Sequence, residues 1–248
     1  MNRPFAIYPD LFDGSTLASW RFGETGGRLA DVVGGKVLTN HGTEARQDGR
    51  RFVRDDPDYM DCAFTGLPEI KQMTLECWLR AFTTQDLAYG FIASFGKSNE
   101  WWVYCLRFYP RLNTGGGTAK LYCDLFGGGD ASWDWNTDAY DLLTGPDPIH
   151  LAAVMDSDAP YLRFFVNGTK VGEDVVGINP LPAGNYTLCL GDHFDHAGTY
   201  ALSGVLDEVR VSNVVRYSTN FTPVRHGEGR RAVARGPGLD GLFAGVAA

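Results

Sequence analysis

Helical periodicity is what this 248-residue chain lacks most: no stretch repeats apolar residues every three to four positions for long enough to form an amphipathic helix. That excludes helical bundles and the alternating strand–helix folds. Uninterrupted apolar runs of the ~18 residues that span a bilayer are also missing, which argues against a membrane-inserted helix. Basic charge is scarce, with 22 Lys and Arg against 30 Asp and Glu for a net charge of −8, so no general basic face for nucleic acid is expected. Cysteine is sparse and odd in number. Cys62, Cys77, Cys105, Cys123 and Cys189 sit mostly inside strand-like runs and read as buried free thiols suited to a reducing cytoplasm, not as a disulfide framework. The opening residues carry no apolar core and no small-residue cleavage site, so no signal peptide is expected. G-x-S-x-G, H-E-x-x-H and a Gly-rich phosphate loop before a helix are absent as well.

What remains is rich in aromatics and turns, with 31 Gly and 12 Pro. Met73, Leu75, Cys77, Leu79 and Ala81 alternate with Thr74, Glu76, Trp78 and Arg80, the period of a strand with one face on a core. Residues 149–155 are almost continuously apolar, which predicts a strand covered on both faces. Tyr161–Val166, then Asn167-Gly168, then Lys170–Val176 spells a hairpin whose two central residues tolerate positive φ. Further strands are expected at 17–22, 52–53, 59–64, 91–95, 101–109, 120–126, 186–190 and 205–211. The sum is an all-β antiparallel sandwich or barrel occupying residues 15–224. An N-terminal arm, 1–14, and a Gly/Ala/Arg-rich C-terminal arm, 225–248, flank it. The second arm is too poor in large apolar residues to order itself, so it is expected to dock on its own body or a neighbouring chain.

Several motifs in order resemble the laminin-G-like branch of the concanavalin A-like jelly rolls. They are "LASWRFGETGGRLADVVGG", "MTLECWLRA", "IASFGKSNEWWVYCLRF", "IHLAAVMDSDAPYLRFFVNGTKVGE" and "YTLCLGD" with "LSGVLDEVRVSNVVRYSTNFTP". The closing "VVRYSTNFTP" is similar to laminin-G-like modules of tailed-bacteriophage virion proteins. The resemblance implies a two-sheet jelly roll. It also implies a non-enzymatic head-decoration or tail component, made in the host cytoplasm, whose partners are other virion subunits or further copies of itself. On that reading the arms assemble the particle through Arg225, Arg230, Arg231, Arg235, Leu242 and Phe243, the arginines meeting acidic surface. The second reading is a lectin module that recognises host surface glycans.

Individual residues carry narrower expectations. Asp207 falls in phase with Val205, Val209 and Val211, so its carboxylate is expected on the apolar side and needs a partner. The resemblance implies a structural calcium there; backbone amides or an Arg serve equally. Asp192, His193, Asp195 and His196 could ligate a metal, or form a polar turn. Trp133, Trp135 and Tyr140, in a polar insertion after Gly127, offer rings for sugar stacking, or fold onto the sandwich or a subunit contact. For catalysis, related jelly-roll glycosidases use E-x-D-x-x-E, which this chain lacks. Glu76 is expected to face outward alone and Glu208 to pair with Arg210. His41, His150 and His226 look isolated.

Overall fold

The computed structural model describes residues 14–22, 29–46, 48–53, 58–80, 90–97, 105–112, 119–126, 131–134, 147–193 and 201–225. The described residues hold fifteen strands and no helix. In chain order the strands are β1 (Thr16–Trp20), β2 (Thr39–His41), β3 (Glu44–Arg46), β4 (Gly49–Phe52), β5 (Tyr59–Leu67), β6 (Gln72–Arg80) and β7 (Ala93–Lys97). Then come β8 (Cys105–Leu112), β9 (Ala119–Phe126), β10 (Ala131–Asp134), β11 (Ile149–Asp156), β12 (Tyr161–Val166), β13 (Thr169–Val176), β14 (Gly184–Leu190) and β15 (Gly204–Ser212). One sheet of eight strands runs β13-β12-β11-β6-β15-β4-β3, with β1 beside β15; the other, of seven, runs β10-β9-β8-β7-β14-β5-β2. Every pairing is antiparallel. This is the expected all-β sandwich. The sequence missed β2, β3 and β10, because two of these strands are only three residues long and the third lies in the segment read as a loop.

Alternation explains the core. Leu75, Cys77, Leu79, Leu151, Leu162 and Phe164 of the eight-stranded sheet meet Phe64, Phe95, Leu106, Tyr186 and Leu188 of the other in one buried cluster. Phe95 and Tyr186 stack at 5.1 Å, and Phe64 meets Phe95 edge-on at 5.3 Å. Cys62, Cys77, Cys123 and Cys189 are buried free thiols, and burial raises the pKa of each.

Strand β11 is buried at every position, as its continuous apolarity predicted. Its second cover is residues 213–225, which cross the outer face of the eight-stranded sheet as a strap. Ala152, Val154, Tyr161 and Phe165 form a second apolar cluster there, closed by Val215, Tyr217 and Phe221. The β12–β13 hairpin turns at Asn167 (φ 49°) and Gly168 (φ 75°), the two positive-φ positions the sequence announced. The strap depends on that turn, because the Phe221 amide donates to the Gly168 carbonyl at 2.9 Å. A Cβ on Gly168 would lie 2.0 Å from the Phe221 carbonyl oxygen. Gly168→Ala should therefore cost about 1–3 kcal/mol and speed amide exchange in residues 217–225; denaturant titration with hydrogen exchange reads both.

One phase assignment is corrected. A β-bulge between Asp207 and Arg210, with Glu208 at φ 47°, shifts β15 by one residue. Leu206 stands opposite Leu79 in the core, whereas Asp207 stands opposite Trp78 and Arg210 opposite Glu76. Asp207 thus faces the strap, and the core is spared its carboxylate.

Candidate functional site

Two polar surfaces emerge, one on each sheet. On the eight-stranded sheet the side chains of Glu76, His150, Arg210 and Tyr217 converge beneath the strap. Glu76 is 3% exposed. One of its oxygens accepts from Arg210 Nε; the other accepts the Tyr217 hydroxyl at 2.7 Å and lies 3.1 Å from His150 Nε2. Arg210 also donates to the Tyr217 oxygen at 2.9 Å. Burial alone would raise the Glu76 pKa; the His150 hydrogen bond and the Arg210 charge outweigh it and bring it down to about 2. A carboxyl so firmly ionised is a poor proton donor near neutrality, which separates it from a glycosidase acid. Sequence reasoning set Glu76 facing outward alone, His150 isolated and Arg210 with Glu208. The outward phase of Glu76 stands, but it is not alone: the strap covers that face of β6, His150 and Tyr217 reach its carboxylate, and the bulge delivers Arg210 opposite it.

Asp207 is part of the same face. Its Oδ1 accepts from the Phe22 and Glu208 amides, both at 2.9 Å, and its Oδ2 accepts from Arg225 at 2.7 Å. These are the amide and arginine partners that the sequence left open beside calcium. Both Asp207 carboxylate oxygens therefore have protein donors, one of them cationic. No group of three or more His, Cys, Asp or Glu side chains suited to a metal gathers among the described residues. Arg225, read as part of the assembly arm, instead pairs with the body through Asp207 and the Asp48 carbonyl. Arg230, Arg231, Arg235, Leu242 and Phe243 lie outside the described residues.

The second surface is the outer face of the seven-stranded sheet. Register sets Thr39 opposite Asp61, Asp61 opposite Cys189 and Cys189 opposite Ser94 across it. Ser94 and Asp124 are buried. Among the described residues, exposed and half-exposed side chains lie on this face at β2 and β5. There the His41 and Tyr59 rings stack in parallel at 4.0 Å, and His41 Nε2 lies 2.9 Å from Asp61 Oδ1. The side chains of His41 and Asp61 are 36% and 38% exposed. Burial, then the Asp61 charge, raises the Tyr59 pKa, so the phenol keeps its proton as a hydrogen-bond donor.

At one end of this face Asp192 and His193 are fully buried, so the polar-turn alternative for this segment holds no solvent-facing side chain at these two positions. The Asp192 carboxylate accepts the His193 amide at 2.7 Å, its carbonyl accepts from Ser94 Oγ at 3.2 Å, and the His193 ring meets Phe91 edge-on. Asp195 and His196 lie outside the described residues. Trp133 belongs to β10, at the position opposite the core residue Cys123, which makes a strand of part of the segment read as a loop. Trp135 and Tyr140 lie outside the described residues. Sequence reasoning missed His41, Tyr59 and Asp61; their only signal was the alternation of Tyr59, Asp61 and Ala63 with the apolar Met60, Cys62 and Phe64.

A family model described as the concanavalin A-like lectin/glucanases superfamily, of the laminin G type, matches residues 55–220. The chain belongs to this family. No curated protein sequence is significantly similar to it. Among solved structures it resembles domain 4 of AbnA, an extracellular arabinanase from Geobacillus stearothermophilus determined with arabinotriose. The identity there is 14%, the coverage 81% of this chain and 93% of that one, and the TM-score 0.52. The binding domain of botulinum neurotoxin serotype G is also similar, at 10% identity, 82% and 48% coverage and a TM-score of 0.55. So is botulinum neurotoxin type C, whose cell entry depends on two ganglioside molecules, at 9% identity, 84% and 50% coverage and a TM-score of 0.53. The chain spans about half the length of these toxin chains. At such identities the likeness is one of fold.

Proposed function

We propose that this lectin-like sandwich is a non-catalytic carbohydrate-binding module, with its site on the exposed part of the seven-stranded sheet's outer face. The observation that carries the reading is the Tyr59–His41 ring stack with the Asp61 carboxylate beside it, half-exposed on the β2–β5 strand pair. Sugars need this combination: ring surface for their C–H faces and fixed acceptors and donors for their hydroxyls. Asp61 supplies the acceptor and the protonated Tyr59 phenol a donor. The arabinotriose bound to the AbnA domain and the gangliosides of the type C toxin are compatible with such a use of the fold.

The particle-component reading rested on the laminin-G-like body, the free thiols, the closing segment and the arms. Residues 214–223 of that segment are engaged with the protein's own sheet. The glycan reading is therefore preferred.

A glycan array with the purified chain, followed by calorimetry on the best ligand, tests the proposal. Asp61→Ala should weaken binding about tenfold or more, the equivalent of the ~1.5–3 kcal/mol carried by a hydrogen bond to a charged group. Melting should change little, because both partners of the His41–Asp61 pair are exposed. An array without hits, or unchanged affinity in the variant, would reject this site.

A further inference from the structure

The Tyr59–His41–Asp61 group uses only part of its hydrogen-bonding capacity. His41 Nε2 takes Asp61 Oδ1 at 2.9 Å, and among the described residues no side chain or amide meets Asp61 Oδ2, the Tyr59 hydroxyl or His41 Nδ1. An ionised carboxylate oxygen can only accept. A sugar hydroxyl satisfies it. A second carboxylate or a sulfate offers it no proton and brings a like charge.

The charges around the group are of one sign. Register sets Asp61 opposite Cys189, two residues before the fully buried Asp192, and Asp58, next to Tyr59 in the chain, is buried as well. Burial, then the charges of Asp61, Cys189 and Asp192, hold the Tyr59 phenol in its protonated form, and no cation works against them. Lys36 is the cation that reaches β5, and it does so further along the strand. Its ammonium donates to the Ala63 carbonyl at 3.3 Å and lies 4.4 Å from the Phe64 ring centre. Asp31 lies beside it, its carboxylate accepting the Val33, Gly34 and Lys36 amides. At the Cys62 thiol, the Asp31 and Asp61 charges both act against that of Lys36.

We propose that the β2–β5 site selects sugars that bear no acidic group and rejects sialylated, uronate-bearing and sulfated ones, with Asp61 as the residue that sets the choice. The inference rests on the glycan reading of this site and adds the charge class of its ligand. A neutral sugar gives Asp61 Oδ2 a hydroxyl donor and takes the Tyr59 proton in return. An acidic group in the same place meets the Asp61 charge with no cation between them.

An array of matched pairs tests it, each neutral glycan printed beside its sialylated or sulfated form, lactose beside sialyllactose among them. The wild-type chain should bind neutral members, and the acidic member of each bound pair should be about tenfold weaker or more, a gap that narrows as salt is added. Asp61→Asn keeps an acceptor oxygen and removes the charge. It should fold as the wild type does, because His41 and Asp61 are both exposed, and in it the gap should close. Acidic members bound as tightly as neutral ones would overturn the selection; if Asp61→Ala abolishes that binding, the site itself stands. A gap that persists in Asp61→Asn overturns the role given to Asp61. Absence of binding by every pair rejects the glycan reading, and the selection falls with it.

Discussion

Replacing Glu76 by Gln is expected to destabilise the folded chain at neutral pH by about 3–5 kcal/mol, the usual cost of removing one partner from a buried ion pair. The cost falls on what the carboxylate leaves behind. Gln leaves one neutral acceptor oxygen for three groups: Arg210 keeps its charge beneath the strap without a carboxylate, and Tyr217 and His150, whose ring Nδ1 has no partner, lose the charged acceptor they share. The same residue sets an acid limb. Its pKa is depressed from 4.5 to about 2 in the folded state, so its contribution is fully present above about 4.5 and is lost as pH falls from there towards 2. Urea titrations of wild type and Glu76→Gln should therefore differ most near neutrality and converge towards pH 2. A constant gap across that range would show that the Glu76 charge is not what holds the strap.

The second large effect is expected at Asp207. Asp207→Ala removes the acceptor of the Phe22 and Glu208 amides and leaves Arg225, whose side chain is 9% exposed, without its carboxylate. The expected loss is about 2–4 kcal/mol, from orphaned amides and an unpaired buried charge together. Amide exchange should also localise it, with the strap near Arg225 opening before the segment that Arg216 fixes to Ser212, Ser15 and Thr16. The reciprocal Arg225→Met change should cost less, since the amides keep their acceptor. Equal losses in the two variants would place the whole effect in the ion pair, against the role given to the amides.

How much of this was legible beforehand depended on whether a residue's partners are local. The alternation of 73–80, the continuous apolarity of 149–155 and the Asn167-Gly168 turn each encode their own structure, and all three appear as read. Asp207 was misplaced because alternation was carried straight through Val205–Val211; no Gly or Pro marks the bulge, whose positive φ falls on Glu208. The strap was illegible for another reason. Residues 213–225 alternate with nothing, and their partners Thr74, Glu76, Gly168 and Asp207 are scattered along the chain. Glu76 looked solitary because its three partners come from β11, β15 and the strap. The Tyr59–His41–Asp61 group was hidden because β2 has only three residues, which no periodicity can reveal.

A glycan held on the β2–β5 part of the seven-stranded sheet must perturb the residues of that strand pair. Two-dimensional NMR of the isotope-labelled chain, titrated with the best ligand from the array, tests it most directly. The account predicts saturable shifts in His41, Tyr59, Asp61 and their strand neighbours, with the strap and its seat unmoved. Shifts confined to other surfaces, or none at saturating sugar, would contradict it.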